Sequence, residues 1–300
     1  PPPISTLFPY TTLFRSGGIA LLAGAPLVVG QGFALMAAAL LLAASVAVLR
    51  RQTAPFTVVL AIAAGCWLGG NLAWLLSGAV NVAVPWWLAF LVLTIAGERL
   101  ELTRFLPTPP LAQRLFIALV ALLLGGALLG LLHEHAGLVV FSAALLGLAS
   151  WLLKWDIARR NVRQQGLTRF MATCLLSGYL WLTFAAVLGL GGGFVAGAPW
   201  RDAALHAVGL GFVFAMVFGH APIIFPAVAR VKIPYHPAFY LPLLALHASL
   251  LTRVAGSFGG EHWGLRREGA LVNALALLFF ILTMIVSVLR GRRTIPATAA

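Results

Sequence analysis

The sequence contains seven histidines, and the spacing of those near its end is the clearest indication of chemistry. Five lie in the last 100 residues, at His206, His220, His236, His247 and His262. On a straight α-helix, the fourteen-residue spacing of His206 and His220 would place both rings within about 40° of one face and about 21 Å apart along the axis. Imidazole nitrogens bind haem iron, copper and zinc, so one helix could present such ligands at two heights.

His220 and His247 form the pair best placed to hold one metal ion. His247 follows Pro237 by ten residues, and His220 precedes Arg230 by ten residues on the preceding apolar run. On two antiparallel helices, both rings would lie about 15 Å from the same end. We therefore predict that His220 and His247 are axial ligands of a b-type haem, or share a copper or zinc ion, with His206 in support. The alternative is a structural histidine hydrogen-bonded to a main-chain carbonyl.

The residues around this pair also favour a site. The segment GHAPIIFP places Pro222 and Pro226 just after His220, and each proline removes a main-chain donor and should bend or break the helix. Arg253, six residues after His247, could extend to the membrane interface, or could hold a haem propionate or an anionic substrate. Three glycines between His206 and His220 leave room for a planar group or for close helix packing: Gly209, Gly211 and Gly219.

Two other histidine arrangements are open. His133 and His135 flank Glu134 in a short turn, which could be a loose surface metal site or a solvated polar turn. A second site from His206 and His262 would require the glycine-containing loop before His262 to fold back.

The elements that must position these residues are transmembrane helices. The chain has 300 residues, of which 61% are hydrophobic and 9% charged, and its mean hydropathy is +1.00, unlike any soluble domain. A transmembrane helix needs ~20 mainly apolar residues, so the chain has material for about nine spans. We predict an all-α, polytopic transmembrane helical bundle with spans near residues 19–49, 56–78, 82–97, 115–132, 137–155, 170–190, 203–229, 237–256 and 269–289.

Basic residues at the ends of the apolar runs set the predicted orientation. If the loop at Arg50 and Arg51 is cytoplasmic, alternation of the spans puts fifteen basic residues on that side and four on the other. This asymmetry predicts a bacterial-type inner membrane protein with a cytoplasmic C-terminus. It also explains the net charge of +13 without a nucleic-acid partner.

Other residue types argue against several classes of protein. The seven acidic residues fall in loops or at helix ends, which counts against an ion-coupled carrier. Lys154 and Lys232 also lie at helix ends, so no lysine could carry a retinal Schiff base. Cys66 and Cys174 lie in separate apolar runs and form neither a CxxC metal pair nor a CxxCH haem-attachment motif.

Residues 1–16 differ in character from the rest. The tract PPPISTLFPYTTLFRS matches neither a signal peptide nor a helix start, and it resembles translated sequencing adapter. We expect a non-native or disordered tail over residues 1–16 with the native start missing. A single transmembrane domain should then cover residues 17–300, with the site in 203–256.

The stretch DAALHAVGLGFVFAMVFGHAPIIFPAV, with a further histidine on the next helix, resembles the histidine-bearing helices of the NnrS-type membrane proteins. The resemblance covers about a fifth of the chain and implies haem and copper binding and a role in bacterial responses to nitric oxide. The early histidine-bearing helix of that family has no counterpart in this sequence. The fourteen-residue spacing also resembles cytochrome b helices, a family that needs such a pair on two helices.

We therefore expect a membrane haem or copper protein that transfers electrons with a redox partner, or that binds or turns over a small diatomic such as nitric oxide. A channel or carrier for a small neutral or anionic solute would instead use a broken helix and no metal. An assembly or scaffold subunit without a site is a third possibility. The sequence leaves the substrate, the redox partner and the oligomeric state open.

Overall fold

The computed structural model describes residues 9–103, 106–258 and 263–293. Within these ranges every regular element is a helix, and none is a strand. The all-α fold class predicted from the sequence is therefore confirmed. The chain divides into two compact units, Pro1–Ala144 and Leu145–Ala300, where the composition suggested one domain over residues 17–300.

The first unit contains five complete helices and the start of a sixth. These are α1 (Pro9–Leu22), α2 (Leu27–Arg51), α3 (Pro55–Ser77), α4 (Val80–Thr103), α5 (Pro110–Leu129) and α6 (Glu134–Trp155), whose second half belongs to the other unit. Residues 9–16, predicted to be part of a non-native or disordered tail, are not disordered but helical, as the first turns of α1.

The second unit carries most of the histidines. It contains α7 (Ala158–Asn161), α8 (Gly166–Leu190), α9 (Arg201–His206), a π-helical segment (Ala207–Phe214), α10 (Ala215–Ala229), a 3-10 turn (Pro237–Phe239), α11 (Tyr240–Phe258) and α12 (Trp263–Arg293). The π-helical segment, called the π segment below, joins α9 to α10 without interruption, so the three form one long helix.

Nine helices among the residues that the structure describes are long and apolar enough to cross a membrane, as predicted. Eight agree with the predicted spans to within six residues at each end. The first differs because the chain turns at Gly24, whose φ of 80° is left-handed, and α2 begins after Pro26 at Leu27. Pro26 has no main-chain N–H to donate to the preceding turn, so the apolar run is divided between two helices.

Large apolar side chains are exposed along these spans, for example Leu275, Leu278 and Leu282 of α12. Exposure of this kind is unfavourable in water but not against lipid chains. The protein is therefore a multi-pass membrane protein that resides in a lipid bilayer.

The core of the second unit joins four of its helices. Phe170 of α8, Phe218 of α10, Leu246 of α11 and Phe280 of α12 all belong to one buried cluster. The rings of Phe218 and Phe280 are stacked with their centroids 3.8 Å apart. This packing fixes α10 and α11, which carry His220 and His247, on the same scaffold as α8.

Of the predicted bend or break at Pro222 and Pro226, the break is not present. Both prolines lie inside α10, which continues from Ala215 to Ala229. Pro222 is buried, so protein rather than lipid surrounds the main chain whose hydrogen bond it removes. The irregular part of this span is instead the π segment, in which hydrogen bonds close i→i+5 and each turn is wider.

Candidate functional site

His247 lies at the centre of a hydrogen-bond network that joins α11 to α8. The indole Nε1 of Trp181 donates to His247 Nδ1 at 3.0 Å. On the other side of the ring, His247 Nε2 lies 3.0 Å from Ser177 Oγ. We call these three residues the Trp181–His247–Ser177 network.

The chemistry of the partners fixes the direction of each bond. An indole N–H can only donate, so His247 Nδ1 must accept and carries no proton. A neutral imidazole then has its proton on Nε2, which donates to Ser177 Oγ. The Ser177 hydroxyl donates in turn to the main-chain oxygen of Cys174 at 3.0 Å. Every polar atom of the His247 ring is therefore satisfied inside the membrane span.

The π segment holds Trp181 in this position. Gly211 packs directly on the indole, because a Cβ at this position would overlap the Trp181 ring. One turn earlier on α8, Gly178 allows the same close approach, and a Cβ there would lie 3.3 Å from the main-chain oxygen of Phe212. Glycine is required at these two positions because two helices touch there, which is the packing alternative that the sequence left open.

Of the other two glycines, Gly219 also packs on α8, where a Cβ would lie 3.0 Å from that of Cys174. Gly209 differs, because nothing within the described residues lies within 4 Å of a Cβ built on it. At two of the three glycines predicted to leave room for a planar group, Gly211 and Gly219, that space is therefore occupied by α8.

The hydrogen bonds of His247 leave no free lone pair for a metal ion. A metal-bound imidazole donates its other ring N–H to an acceptor, which leaves a lone pair for the metal. In His247 the lone pair on Nδ1 faces the N–H of Trp181, and Nε2 carries the proton. A metal or haem iron could bind His247 only if the Trp181–His247–Ser177 network opened.

His220 has the opposite arrangement. Its Nδ1 lies 2.7 Å from the main-chain oxygen of Met216, and a carbonyl can only accept, so Nδ1 carries the proton. The Nε2 lone pair is then the one that a metal would use, which is the tautomer of many ligand histidines. The same bond is equally what a structural histidine makes. Joint ligation of one metal by His220 and His247 stays a prediction.

His206 is separated from His220 by the π segment, so the straight-helix assumption does not hold. One extra residue in a wide turn rotates the helix that follows by about 100°, which moves the two rings from about 40° to roughly 140° apart. The straight-helix count therefore no longer supports a shared face, and a role of His206 beside His220 stays a prediction.

Arg253 lies within a polar cluster rather than alone at the membrane interface. Its Nε and Nη2 atoms donate to Asp202 Oδ2 and Oδ1 at 2.8 and 2.7 Å, a bidentate ion pair that joins α11 to α9. His206 Nδ1 lies 3.3 Å from Asp202 Oδ1 and 2.8 Å from the Asp202 main-chain oxygen. The guanidinium predicted to hold a propionate or an anion thus has a carboxylate of the same chain as its partner.

The remaining histidines that the structure describes belong to no metal-binding group of three or more side chains. Among the described residues no group of three or more His, Cys, Asp and Glu side chains could hold a metal ion, and this includes the turn at His133, Glu134 and His135. His236 accepts a hydrogen bond from the main chain of Ala238 and caps the 3-10 turn. His262 lies outside the described residues.

Sequence reasoning missed three participants in this site. Trp181 and Ser177 were not singled out because tryptophan and serine are ordinary in an apolar span, and Asp202 because it lies at a helix end. Ser177 and Trp181 are four residues apart on α8, which does place both side chains on one helix face. That signal could have suggested a shared partner, but not that the partner would be His247.

Comparison with known proteins identifies a family for this chain but no individual similar protein. No curated protein and no solved structure matches the chain. The model of one family, described as a domain of unknown function, matches residues 7–289. The match covers nearly the whole chain, including both units and every residue of the networks above. The chain therefore belongs to the domain of unknown function family DUF8744.

Proposed function

We propose that the protein is a metal-free channel or carrier for a small neutral solute, and that the face between α8, α9, the π segment and α11 is its path. The observation that carries this proposal is a pair of polar connections at two heights on α11. His247 and Arg253 are six residues apart, or about 9 Å along the helix. Each connects α11 to a neighbouring helix through hydrogen bonds between polar side chains.

The connection at Arg253 has the properties of an outer gate. The Asp202–Arg253 ion pair lies at the ends of α9 and α11, on the side that the charge distribution predicts to be external. An ion pair of two part-exposed side chains is strong enough to hold two helix ends together and weak enough to open. The Trp181–His247–Ser177 network lies further in.

The charges favour a neutral solute over an anionic one. The guanidinium of Arg253 is already matched by Asp202, and the His247 ring is neutral in its hydrogen-bonded form. A small neutral molecule with N–H, O–H or C=O groups could exchange hydrogen bonds with Trp181, His247 and Ser177, whereas an anion would meet no unmatched cation there. In this proposal the protein lies in a bacterial-type inner membrane with its C-terminus in the cytoplasm.

Solute flux into proteoliposomes tests this proposal. The rate of solute entry is measured by light scattering. We expect urea and glycerol to enter vesicles that contain the protein several-fold faster than they enter protein-free vesicles. The rate of chloride entry should not increase. Trp181→Phe keeps the ring but removes the donor, and should lower the solute flux. Trp155→Phe makes the same change on α6, outside the Trp181–His247–Ser177 network, and should leave the flux unchanged. Urea and glycerol entry at the protein-free rate would rule the proposal out.

A second candidate, a haem- or copper-binding protein with a redox partner or a role in nitric oxide handling, has one observation in its favour. His220 carries the tautomer of a metal ligand within a span. His220 would hold the group through Nε2, and a bound haem or copper would supply electron transfer or diatomic binding. Absorption spectra and metal analysis of the purified protein test it, since a Soret band or stoichiometric copper that His220→Ala abolishes would support it and rule out a metal-free protein.

A further inference from the structure

We propose that the second unit has a binding site for an anionic phospholipid, at a groove between α10 and α12. The groove has a volume of about 380 Å³ and only apolar side chains line it, among them Phe225, Val231, Met284 and Leu289. Phe225 and Leu289 are each about half exposed, so the groove opens towards lipid. The chemical class of ligand follows from the length of the groove and from the charges at one end.

The groove is as long as one leaflet of a membrane. Its lining runs from Ala221 to Ala229 on α10 and from Phe280 to Leu289 on α12. Eight and nine residue steps correspond to about 12 and 14 Å of helix, close to half of a hydrocarbon core of about 30 Å. An acyl chain of a lipid in one leaflet therefore fits its length.

Three cations lie at one end of this groove. Arg230 directly follows the last lining residue of α10, and Lys232 follows Val231. Arg290 directly follows the last lining residue of α12 and itself lines the adjacent groove, beside the 3-10 turn. All three side chains are exposed, and none has an ion-pair partner in the part of the chain that the structure describes. A phosphate at the end of an acyl chain in the groove would supply the missing negative charge.

The local fold places the loop cations Arg230 and Lys232 at the end of the groove. Arg230 ends α10 in the left-handed region, at a φ of 53°, which turns the chain away from the helix axis. The loop then packs on the end of α12, because a Cβ at Gly291 would overlap the main-chain oxygen of Lys232. The close contact at Gly291 thus brings Lys232 of the loop beside Arg290 of α12.

Native mass spectrometry of the purified protein in a neutral detergent measures this binding. We expect added phosphatidylglycerol to bind at least tenfold more tightly than phosphatidylcholine. The triple variant Arg230→Gln, Lys232→Gln, Arg290→Gln should lose that preference, since each cation near a membrane surface contributes roughly fivefold. A matched triple, Arg50→Gln, Arg51→Gln, Arg114→Gln, removes three exposed cations of the same predicted side from the first unit and should retain it.

Two further arms complete the test. Ala229→Phe fills the groove without changing charge and should weaken phosphatidylglycerol binding, with thermal unfolding of the lipid-free protein confirming that each variant is folded. Glycerol 3-phosphate, which has the head group chemistry without acyl chains, should not compete. Equal binding of the two lipids, equal losses in both triple variants, no effect of Ala229→Phe, or competition by glycerol 3-phosphate would each overturn the proposal.

Discussion

At the scale of the residue, the direction of two hydrogen bonds determines what His247 can do. Trp181 can only donate, so the lone pair of Nδ1 is used and the proton lies on Nε2. The position of His247 in an apolar span could be predicted from the sequence, because histidine stands out among aliphatic residues. Its tautomer could not, because that depends on Trp181 and Ser177, which are 66 and 70 residues away.

Loss of the Trp181 donor should destabilise the protein. Trp181→Phe leaves Nδ1 of His247 without a partner, and we expect a loss of roughly 0.5–2 kcal/mol in the free energy of unfolding, within the range for hydrogen bonds inside membranes. Trp155→Phe provides the control, because the Trp155 indole makes no hydrogen bond within the described residues. Reversible unfolding in mixed micelles measures both, and equal losses would mean that the indole N–H contributes nothing.

At the scale of the element, the π segment sets how α8, α9 and α11 meet. Hydropathy predicted the whole span from α9 to α10, because hydropathy depends on the residue types and not on whether the helix is of the α or the π type. The same pattern could not reveal the wide turn, which adds a residue without changing the composition. The two prolines could likewise not be judged from the sequence: α10 continues through the buried Pro222 and the half-buried Pro226, and only the three-dimensional structure shows that the helix does not break there.

Two glycines of the π segment should respond in opposite ways to the same change. Gly211→Ala places a methyl group in the Trp181 ring and should cost about 1–3 kcal/mol of unfolding free energy, as overpacked interiors do. Gly209→Ala meets open space and should be neutral or slightly stabilising. Unfolding of the two variants in one detergent is the measurement, and similar values for both would contradict the contact between Gly211 and Trp181.

The ion pair between α9 and α11 should behave as one unit. Asp202→Asn and Arg253→Gln should each destabilise the protein, and the double variant should be less destabilised than the sum of the two by about 0.5–2 kcal/mol. A double-mutant cycle measures this coupling. In the proposed gate, either single variant should also increase urea or glycerol flux. Additive effects on stability would show that the two side chains do not interact.

At the scale of the whole molecule, hydropathy was sufficient for the number of spans and for most of their ends. It failed at the first span, where Gly24 and Pro26 turn the chain within an apolar run. The basic residues predict the orientation independently of hydropathy. The grouping of helices into two units depends on which faces pack together, and residue patterns along single spans do not contain that information.

The orientation can be measured by labelling in intact cells. Arg160→Cys lies in the short helix α7, in the connection between α6 and α8 that is predicted to be cytoplasmic, and should resist a membrane-impermeant maleimide applied from outside. His133→Cys, between α5 and α6, should be labelled. The native Cys66 and Cys174 are buried and give a low background. Labelling at Arg160→Cys but not at His133→Cys would reverse the topology and place the groove cations outside.

The protonation state of His247 tests most directly whether this ring is a hydrogen-bonded centre or a metal ligand. Nitrogen NMR of protein labelled at its histidines, in lipid, distinguishes the two ring nitrogens. We predict a neutral ring with the proton on Nε2 and an accepting Nδ1 whose signal shifts in Trp181→Phe. A proton on Nδ1, or a signal shifted or broadened by bound iron or copper and restored when the metal is removed, would contradict the Trp181–His247–Ser177 network.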